Sequence, residues 1–329
     1  MLILTADDVR KALPMDEAIE AMKSAYASLS DGRAAAPLRT RLPVPPHQGL
    51  TLFMPAYVQA ETDEALAVKI VSIFPENPKH GLALIQAAVL VLEANTGRTL
   101  ALLEGSSLTA IRTGAGSGAA IDLLARPDSR TLMVFGAGAQ ARTQAEAACT
   151  VRAIERVWVY DTNMELAQKF AAEMAGRGPI PGEVRVAENP AQAAREADIV
   201  CTATTSTHPV FADADLKSGA HVSAIGSYTP EMQEVPAETV ARARVVVDSI
   251  SATLAETGDL VKPLQAGLIT ENHIYAELGE IVLGRKSGRQ SESEITYFKS
   301  VGIAVQDAMA AQLALKNAQK MGLGTNVDF

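Results

Sequence analysis

The sequence predicts an α/β fold: a doubly wound parallel sheet inserted into a second, α+β domain. Three observations predict it. From about residue 130, short β-prone runs alternate with helical stretches, starting with TLMVFG at 131–136. The first third is instead mostly β-prone and broken by prolines. The chain then ends on a long helical pattern that fits the first segment better than the alternating middle. Alternation of strand and helix implies parallel pairing with helices on both faces. The expected division is 1–115 plus 300–329 for one domain and 116–299 for the inserted one.

Residues 15–30 have Ile19, Met22, Tyr26 and Leu29 at helical spacing, with Gly32 as a C-terminal stop. Pro37, Pro43, Pro45, Pro46 and Pro55 punctuate 36–58, which reads as strands broken by turns. ALAVKIVSIF (65–74), LIQAAVLVLE (84–93) and RTLALLEG continue a β region, expected to be antiparallel. A helix is expected over roughly 107–125. Its TGAGSGAA stretch superficially resembles a phosphate loop, but no strand leads into it, and its small residues suit close helix packing instead. The middle then gives strands at TLMVFG, RVWVYD (156–161), EVRVA, DIVCTAT (198–204), HVSAIG (221–226) and ARVVVD (243–248), with helices between the earlier ones. Residues 299–320 are expected to form one helix, with Val301, Val305, Met309 and Leu313 on one stripe.

Composition narrows the function. The 329 residues are 48% hydrophobic and 20% charged, an ordinary globular mix. A net charge of −9 without a basic cluster argues against nucleic acid. The start MLILTADDVRKALPMDEA lacks the pattern of a secretory signal, and no run is long and apolar enough for a membrane span, so a cytoplasmic protein is expected. Cys149 and Cys201 are far apart, against a disulfide framework or thiolate metal site, and the five histidines have no ligand spacing, so no metal is expected.

The most informative motif is Gly136-Ala-Gly138-Ala139-Gln140-Ala141, between a strand and a helix. Gly136 permits the tight turn, Gly138 lets the backbone approach a pyrophosphate, and Ala141 allows close helix–strand contact. The helix N-terminus offers free N–H groups to phosphates. Asp161 ends the next strand, 23 residues after Gly138. A carboxylate there accepts hydrogen bonds from ribose hydroxyls and repels a 2′-phosphate. A Rossmann domain binding NAD(H) or NADP(H) is expected, with NAD(H) favoured, although Thr162 and Asn163 leave room for a phosphate. Ligands in such folds bind beyond the carboxyl ends of strands, which marks Thr202, Thr204, Ser227, Tyr228 and Thr229 as candidates.

A negatively charged enzyme needs local basic residues to take a small carboxylate. Lys69 lies inside an apolar strand, Arg112 among small residues near a helix start, and Arg39 just before a β segment. Each can also be read as a surface residue with its charge in water.

At this point the residues resemble the ornithine cyclodeaminase/μ-crystallin family of nicotinamide-dependent enzymes across nearly the whole chain. The resemblance rests on PLRTRLPV (37–44), MPAY (54–57), VKIV (68–71), EGSSLTAIRTGA (104–115), FGAGAQA (135–141), VYD (159–161), GSYTPEMQE (226–234), VVDS (246–249), ETGDL (256–260), ELGEIVLG (277–284) and FKSVGIAVQD (298–307). It implies a homodimer whose outer segments bind substrate and form the dimer contact. It also implies that Arg39, Lys69 and Arg112 bind the substrate carboxylate.

One departure decides the expected reaction. Ornithine cyclodeaminases and related archaeal alanine dehydrogenases carry an aspartate two residues after the glycine that is here Gly226; this chain has Tyr228. A neutral phenol is a poor base at neutral pH. The GS-aromatic-TP pattern resembles reductases of cyclic imino acids. The resemblance therefore implies reduction of Δ1-pyrroline-2-carboxylate or Δ1-piperideine-2-carboxylate to L-proline or L-pipecolate. Lys69 and Arg112 would serve as catalytic residues, and Tyr228 would shape the pocket or orient a water. Ser227 or Thr229 would touch the nicotinamide ribose or amide. An L-alanine dehydrogenase, a lyase (ornithine cyclodeaminase or a cis-3-hydroxyproline dehydratase), and a ligand-binding protein remain as alternatives.

Overall fold

The computed structural model describes residues 1–61 and 63–328. The chain forms two compact units, Met1–Arg112 with Ile303–Phe329, and Thr113–Gly302.

The first unit begins with β1 (Leu2–Leu4), α1 (Ala6–Ala12) and α2 (Met15–Ser30). Thr5 caps α1 through a reciprocal pair with Asp8. The strands β2 (Ala34–Ala35), β3 (Thr40–Val44), β4 (Gly49–Gln59), β5 (Glu64–Ile73), β6 (Ile85–Leu92) and β7 (Thr99–Glu104) follow, then α3 (Gly105–Leu124), within which the unit boundary falls. β3 to β7 pair antiparallel in sequence, as expected from the β-prone, proline-broken first third. β1 adds to β7 in parallel. The residues Leu52, Met54, Ala56, Ala67, Val71, Val89 and Val91 point to one side and are buried. The long helix near the C-terminus packs on β4, β5 and β6 and against α2. The TGAGSGAA stretch lies inside α3, as its helical surroundings indicate. At Gly114 an added Cβ would meet the Thr143 backbone at 2.5 Å, so a small residue is required there.

The second unit alternates strands and helices: β8 (Thr131–Phe135), α4 (Ala139–Val151), β9 (Arg156–Tyr160), α5 (Met164–Met174), β10 (Val184–Val186), α6 (Pro190–Glu196), β11 (Ile199–Thr202) and β12 (His221–Ala224). Then come α7 (Ala237–Arg242), β13 (Arg244–Val247), α8 (Ile250–Glu256), α9 (Gly258–Gln265), β14 (Ile274–Glu277), α10 (Leu278–Val282) and β15 (Thr296–Lys299). All eight strands pair in parallel, in the order β10-β9-β8-β11-β12-β15-β13-β14. The order reverses at β8, the switch point of a doubly wound Rossmann sheet. Strands covered on both faces explain the apolar runs at 132–135 in β8 and 199–201 in β11.

The expected helix over 299–320 needs correction. Thr296–Lys299 is a strand, and the helix α11 runs Ala304–Met321; β16 (Thr325–Asn326) then pairs with β1. TYFK is buried at every position, and a short, fully buried strand carries no periodicity to separate it from a helix. Val301 therefore precedes α11 rather than belonging to its stripe. No described helix is long and apolar enough to cross a membrane.

Candidate active site

In the first unit, three elements deliver charged groups to one buried point. Lys69 is in the middle of β5, paired with Met54 on β4 and Val89 on β6, and faces α11. Arg112 lies two turns into α3, whose start is fixed by Glu104: its carboxylate accepts from the N–H groups of Ser106 and Ser107 at 2.7 and 2.8 Å. Gly105 sits so close to Ala87 that an added Cβ would lie 2.6 Å from its backbone. The first turn of α11 supplies Gln306 and Asp307.

Asp307 joins the other two. Lys69 Nζ is 2.8 Å from Asp307 Oδ1 and 2.7 Å from Oδ2, and Arg112 Nε donates to Oδ1 at 2.9 Å. Lys69 is 2% exposed, Arg112 5% and Asp307 1%. Gln306 completes the frame. Its Oε1 accepts from Arg112 Nη1 at 3.1 Å and from the Ile303 N–H at 2.9 Å, while its Nε2 donates to Tyr26 Oη at 2.7 Å. Burial first, and then the adjacent Arg112 charge, pull the Lys69 ammonium down to about 7; Asp307 opposes this, and Arg39 adds to the lowering. Burial would raise the Asp307 carboxyl, but the charges of Arg112 and Lys69 outweigh it and hold the group below its ordinary range. Arg39 is half-buried between β2 and β3. The three suspected basic residues thus share one neighbourhood. Asp307, which joins Lys69 to Arg112, was not anticipated, because an acid in a helix's first turn reads as a favourable partner of the helix dipole.

In the second unit, Gly136 has φ +100°, and an added Cβ would lie 2.5 Å from the Ala203 carbonyl oxygen. Gly138 caps α4 and has open space where a Cβ would point. Gly138 and Ala139 are exposed, and the half-buried Gln140 keeps a buried Oε1 without a hydrogen-bond partner among the described residues. Arg142 donates to the carbonyls of Ala137 and Gly138 and pairs with Glu173 at 2.7 Å, stiffening the turn. Asp161 Oδ2 accepts from the Ala137 N–H and Oδ1 from the Asn163 N–H, both at 2.8 Å. A carboxylate has about four acceptor sites, so two such bonds leave room for a diol. These features fit a dinucleotide: exposed helix-start N–H groups for the diphosphate and an oriented carboxylate for a ribose.

The strand-end residues are less open than expected. Thr202 is buried at the end of β11, and its hydroxyl has no partner among the described residues. Thr204 donates from both its N–H and its hydroxyl to Glu234 Oε1, at 2.6 and 2.9 Å. Glu234 Oε2 accepts from the N–H groups of Gly226 and Ser227 at 2.7 and 3.0 Å. Ser227 is fully buried, and its hydroxyl lies within hydrogen-bond distance of the Met232 carbonyl and the Thr257 hydroxyl. It therefore fastens the loop. Tyr228 and Thr229 stay half-exposed, and burial raises the Tyr228 phenol above its ordinary value.

The model of the ornithine cyclodeaminase/mu-crystallin family matches residues 1–322. The chain belongs to this family. Among its members, a Δ1-pyrroline-2-carboxylate reductase of Bacillus cereus is 43% identical over 330 residues, covering 100% of both chains. The structure of Thermococcus litoralis Δ1-pyrroline-2-carboxylate reductase in complex with NADH and L-proline is 45% identical, with a TM-score of 0.94 over 99% of this chain and 100% of that one. An archaeal alanine dehydrogenase dimer with bound NAD is 32% identical, with a TM-score of 0.91 over 100% and 99%.

Proposed function

We propose that this family member reduces a cyclic ketimine carboxylate, Δ1-pyrroline-2-carboxylate or Δ1-piperideine-2-carboxylate, to L-proline or L-pipecolate. The observation that carries the reading is the buried cluster of two cations on one carboxylate. With both cations charged, such a cluster holds a surplus positive charge away from water, which is costly until an anion joins it. A substrate carboxylate is that anion. Lys69 and Arg112, with Arg39 beside them, clamp it and fix which face of the C=N bond is presented, a gain from positioning.

Gly136, Gly138, Ala139, Gln140 and Asp161 would hold the dinucleotide, with NAD(H) preferred because the Asp161 charge opposes a 2′-phosphate. In its reduced form that cofactor supplies the hydride. The loops bearing Thr202, Thr204, Ser227 and Thr229 would shape the space beyond the strand ends. The relatives support both halves: one acts on Δ1-pyrroline-2-carboxylate, and another was solved with NADH and L-proline. Tyr228 supports reduction over amine oxidation, because its phenol stays neutral and an imine needs no enzymic base to accept hydride.

The same proposal takes the protein to be a cytoplasmic homodimer. The face of the first sheet turned away from α11 presents Leu42, Phe53, Leu66, Val68, Ile70 and Leu90; Leu42 is 53% exposed and Ile70 39%. An apolar sheet face of this kind suits a second copy. Sedimentation at micromolar concentration should give twice the 34.6 kDa chain mass.

The catalytic test is spectrophotometric. Purified protein with Δ1-pyrroline-2-carboxylate should consume NADH, and NADPH more slowly, while L-ornithine or L-alanine with NAD should give little. Silence with the imine and turnover of alanine or ornithine would overturn the reading.

A further inference from the structure

We propose that Asp307 is the positioning residue of this reaction, a single carboxylate that holds Lys69 charged and aimed so that Lys69 delivers the proton to the substrate nitrogen. The inference rests on the imine-reduction reading above.

The argument is geometric. Lys69 Nζ reaches both oxygens of Asp307, while Arg112 takes Oδ1 alone. Gln306 fixes Arg112 from the neighbouring position and is itself tied to Tyr26 on α2. Asp307 therefore cannot swing toward Arg112 and abandon Lys69 without breaking a buried network. The groups facing Lys69 come from every side: Arg112 from α3, Arg39 from the β2–β3 connection, Asp307 from α11, and the apolar Met54 and Val89 from the adjoining strands. Two of these charges repel an ammonium, and burial disfavours it further. Asp307 is the carboxylate that pairs with it and opposes them. Removing Asp307 takes away the ion pair that opposes burial, Arg112 and Arg39, which all drive Lys69 to its neutral form.

The proton step balances. One Lys69 N–H bond breaks, and its proton forms a bond with the lone pair of the imine nitrogen. Hydride adds to the imine carbon, and the C=N π pair moves onto nitrogen, so the carbon is reduced by two electrons at the expense of the reduced nicotinamide. The product is a secondary amine, and neutral Lys69 recovers its proton from water. An ammonium that gives up its proton near neutral pH suits this task better than one of ordinary basicity.

The test compares wild type, Asp307→Asn, Asp307→Glu and Lys69→Arg. Lysine labelled with ¹³C at Cε reports Lys69 ionisation directly, its resonance assigned by its loss in Lys69→Arg. This readout needs neither substrate nor turnover. Asp307→Asn should move the Lys69 titration to lower pH by about 1–3 units, and the alkaline limb of kcat/KM should follow by the same amount. Asp307→Glu should restore most of both. Lys69→Arg keeps the ion pair but cannot release a proton, so kcat should fall roughly 10²–10⁴-fold with KM little changed. If Asp307→Asn fails to fold, the Glu and Arg variants still decide: a Lys69→Arg enzyme with wild-type kcat overturns the proposal. So does an unchanged Lys69 titration in folded Asp307→Asn. A wild type that shows the titration but reduces no cyclic imine refutes the proposed function and, with it, the proton delivery, while leaving Asp307's hold on Lys69 standing.

Discussion

Glu234 and Asp259 are two buried carboxylates in series: the Glu234 N–H donates to Asp259 Oδ1 at 2.7 Å, and Lys299 Nζ lies 3.1 Å from the other Asp259 oxygen. All three residues are fully buried. Through its side chain, Glu234 binds the loop after β11 to the loop after β12, where a Rossmann unit receives the nicotinamide half of its ligand. Glu234→Ala strands the N–H groups of Thr204, Gly226 and Ser227. It is expected to destabilise the protein by about 3 kcal/mol, read as a lower denaturation midpoint. NADH affinity, measured by fluorescence, should weaken with it. An unchanged midpoint would mean that water replaces the carboxylate at no cost.

On the proposed function, Lys69→Ala and Arg112→Ala each remove a charge-assisted contact to the substrate carboxylate. Each should reduce kcat/KM by the equivalent of about 2–4 kcal/mol. Near-wild-type kinetics in both variants would remove the clamp from the proposed function.

On the proposed function, Asp161→Ser takes away the charge that opposes a 2′-phosphate while leaving a group that can accept one hydrogen bond. The ratio of NADPH to NADH activity should rise at least tenfold, about 1.4 kcal/mol. An unaltered ratio would show that Asp161 does not face the ribose.

Lys69 also couples stability to pH. Its folded-state value, about 7, is lower than that of an unfolded lysine, so the unfolded chain binds the extra proton between about 7 and 10.5. Stability from this group therefore rises with pH across that window and is lost as pH falls toward 7. Urea midpoints at pH 7 and pH 9 should show a larger gain for wild type than for Lys69→Met. Equal gains would place the lysine's folded value near that of the free residue.

Tyr228→Asp introduces a carboxylate at the position where the family resemblance implies one in amine-oxidising members. Some NAD-dependent oxidation of an open-chain amino acid should appear. A variant whose substrate range matches wild type would count against this position as the switch between reactions.

Much of this was legible in the residues. The tight turn at Gly136, the open space at Gly138 and the oriented carboxylate of Asp161 are legible because a strand–turn–helix junction of this pattern admits few alternatives. Lys69 betrays itself by interrupting an apolar strand. Asp307 and Glu234 do not, because their meaning depends on partners brought from far along the chain: Lys69 lies 238 residues from Asp307, and Thr204 lies 30 from Glu234. An isolated acid in a helix's first turn, or in a polar loop, gives no hint that it will be sealed from water. The inward turn of the Ser227 hydroxyl to Thr257 is hidden for the same reason, its partner lying 30 residues along the chain. β15 escaped detection because burial on both faces erased its period.

That strand has a consequence for biosynthesis. β15 is the last strand of its sheet to leave the ribosome, yet it belongs between β12 and β13. A nascent chain that has emerged only to residue 295 can form five parallel strands, β8 to β12, and a separate β13–β14 pair, with nothing to join them. The junction waits for TYFK, and α11, needed to cover the first sheet, follows directly behind. Both units therefore mature in the same late interval of translation, and a growing chain exposes unpaired strand edges until then, the period in which chaperone protection matters most.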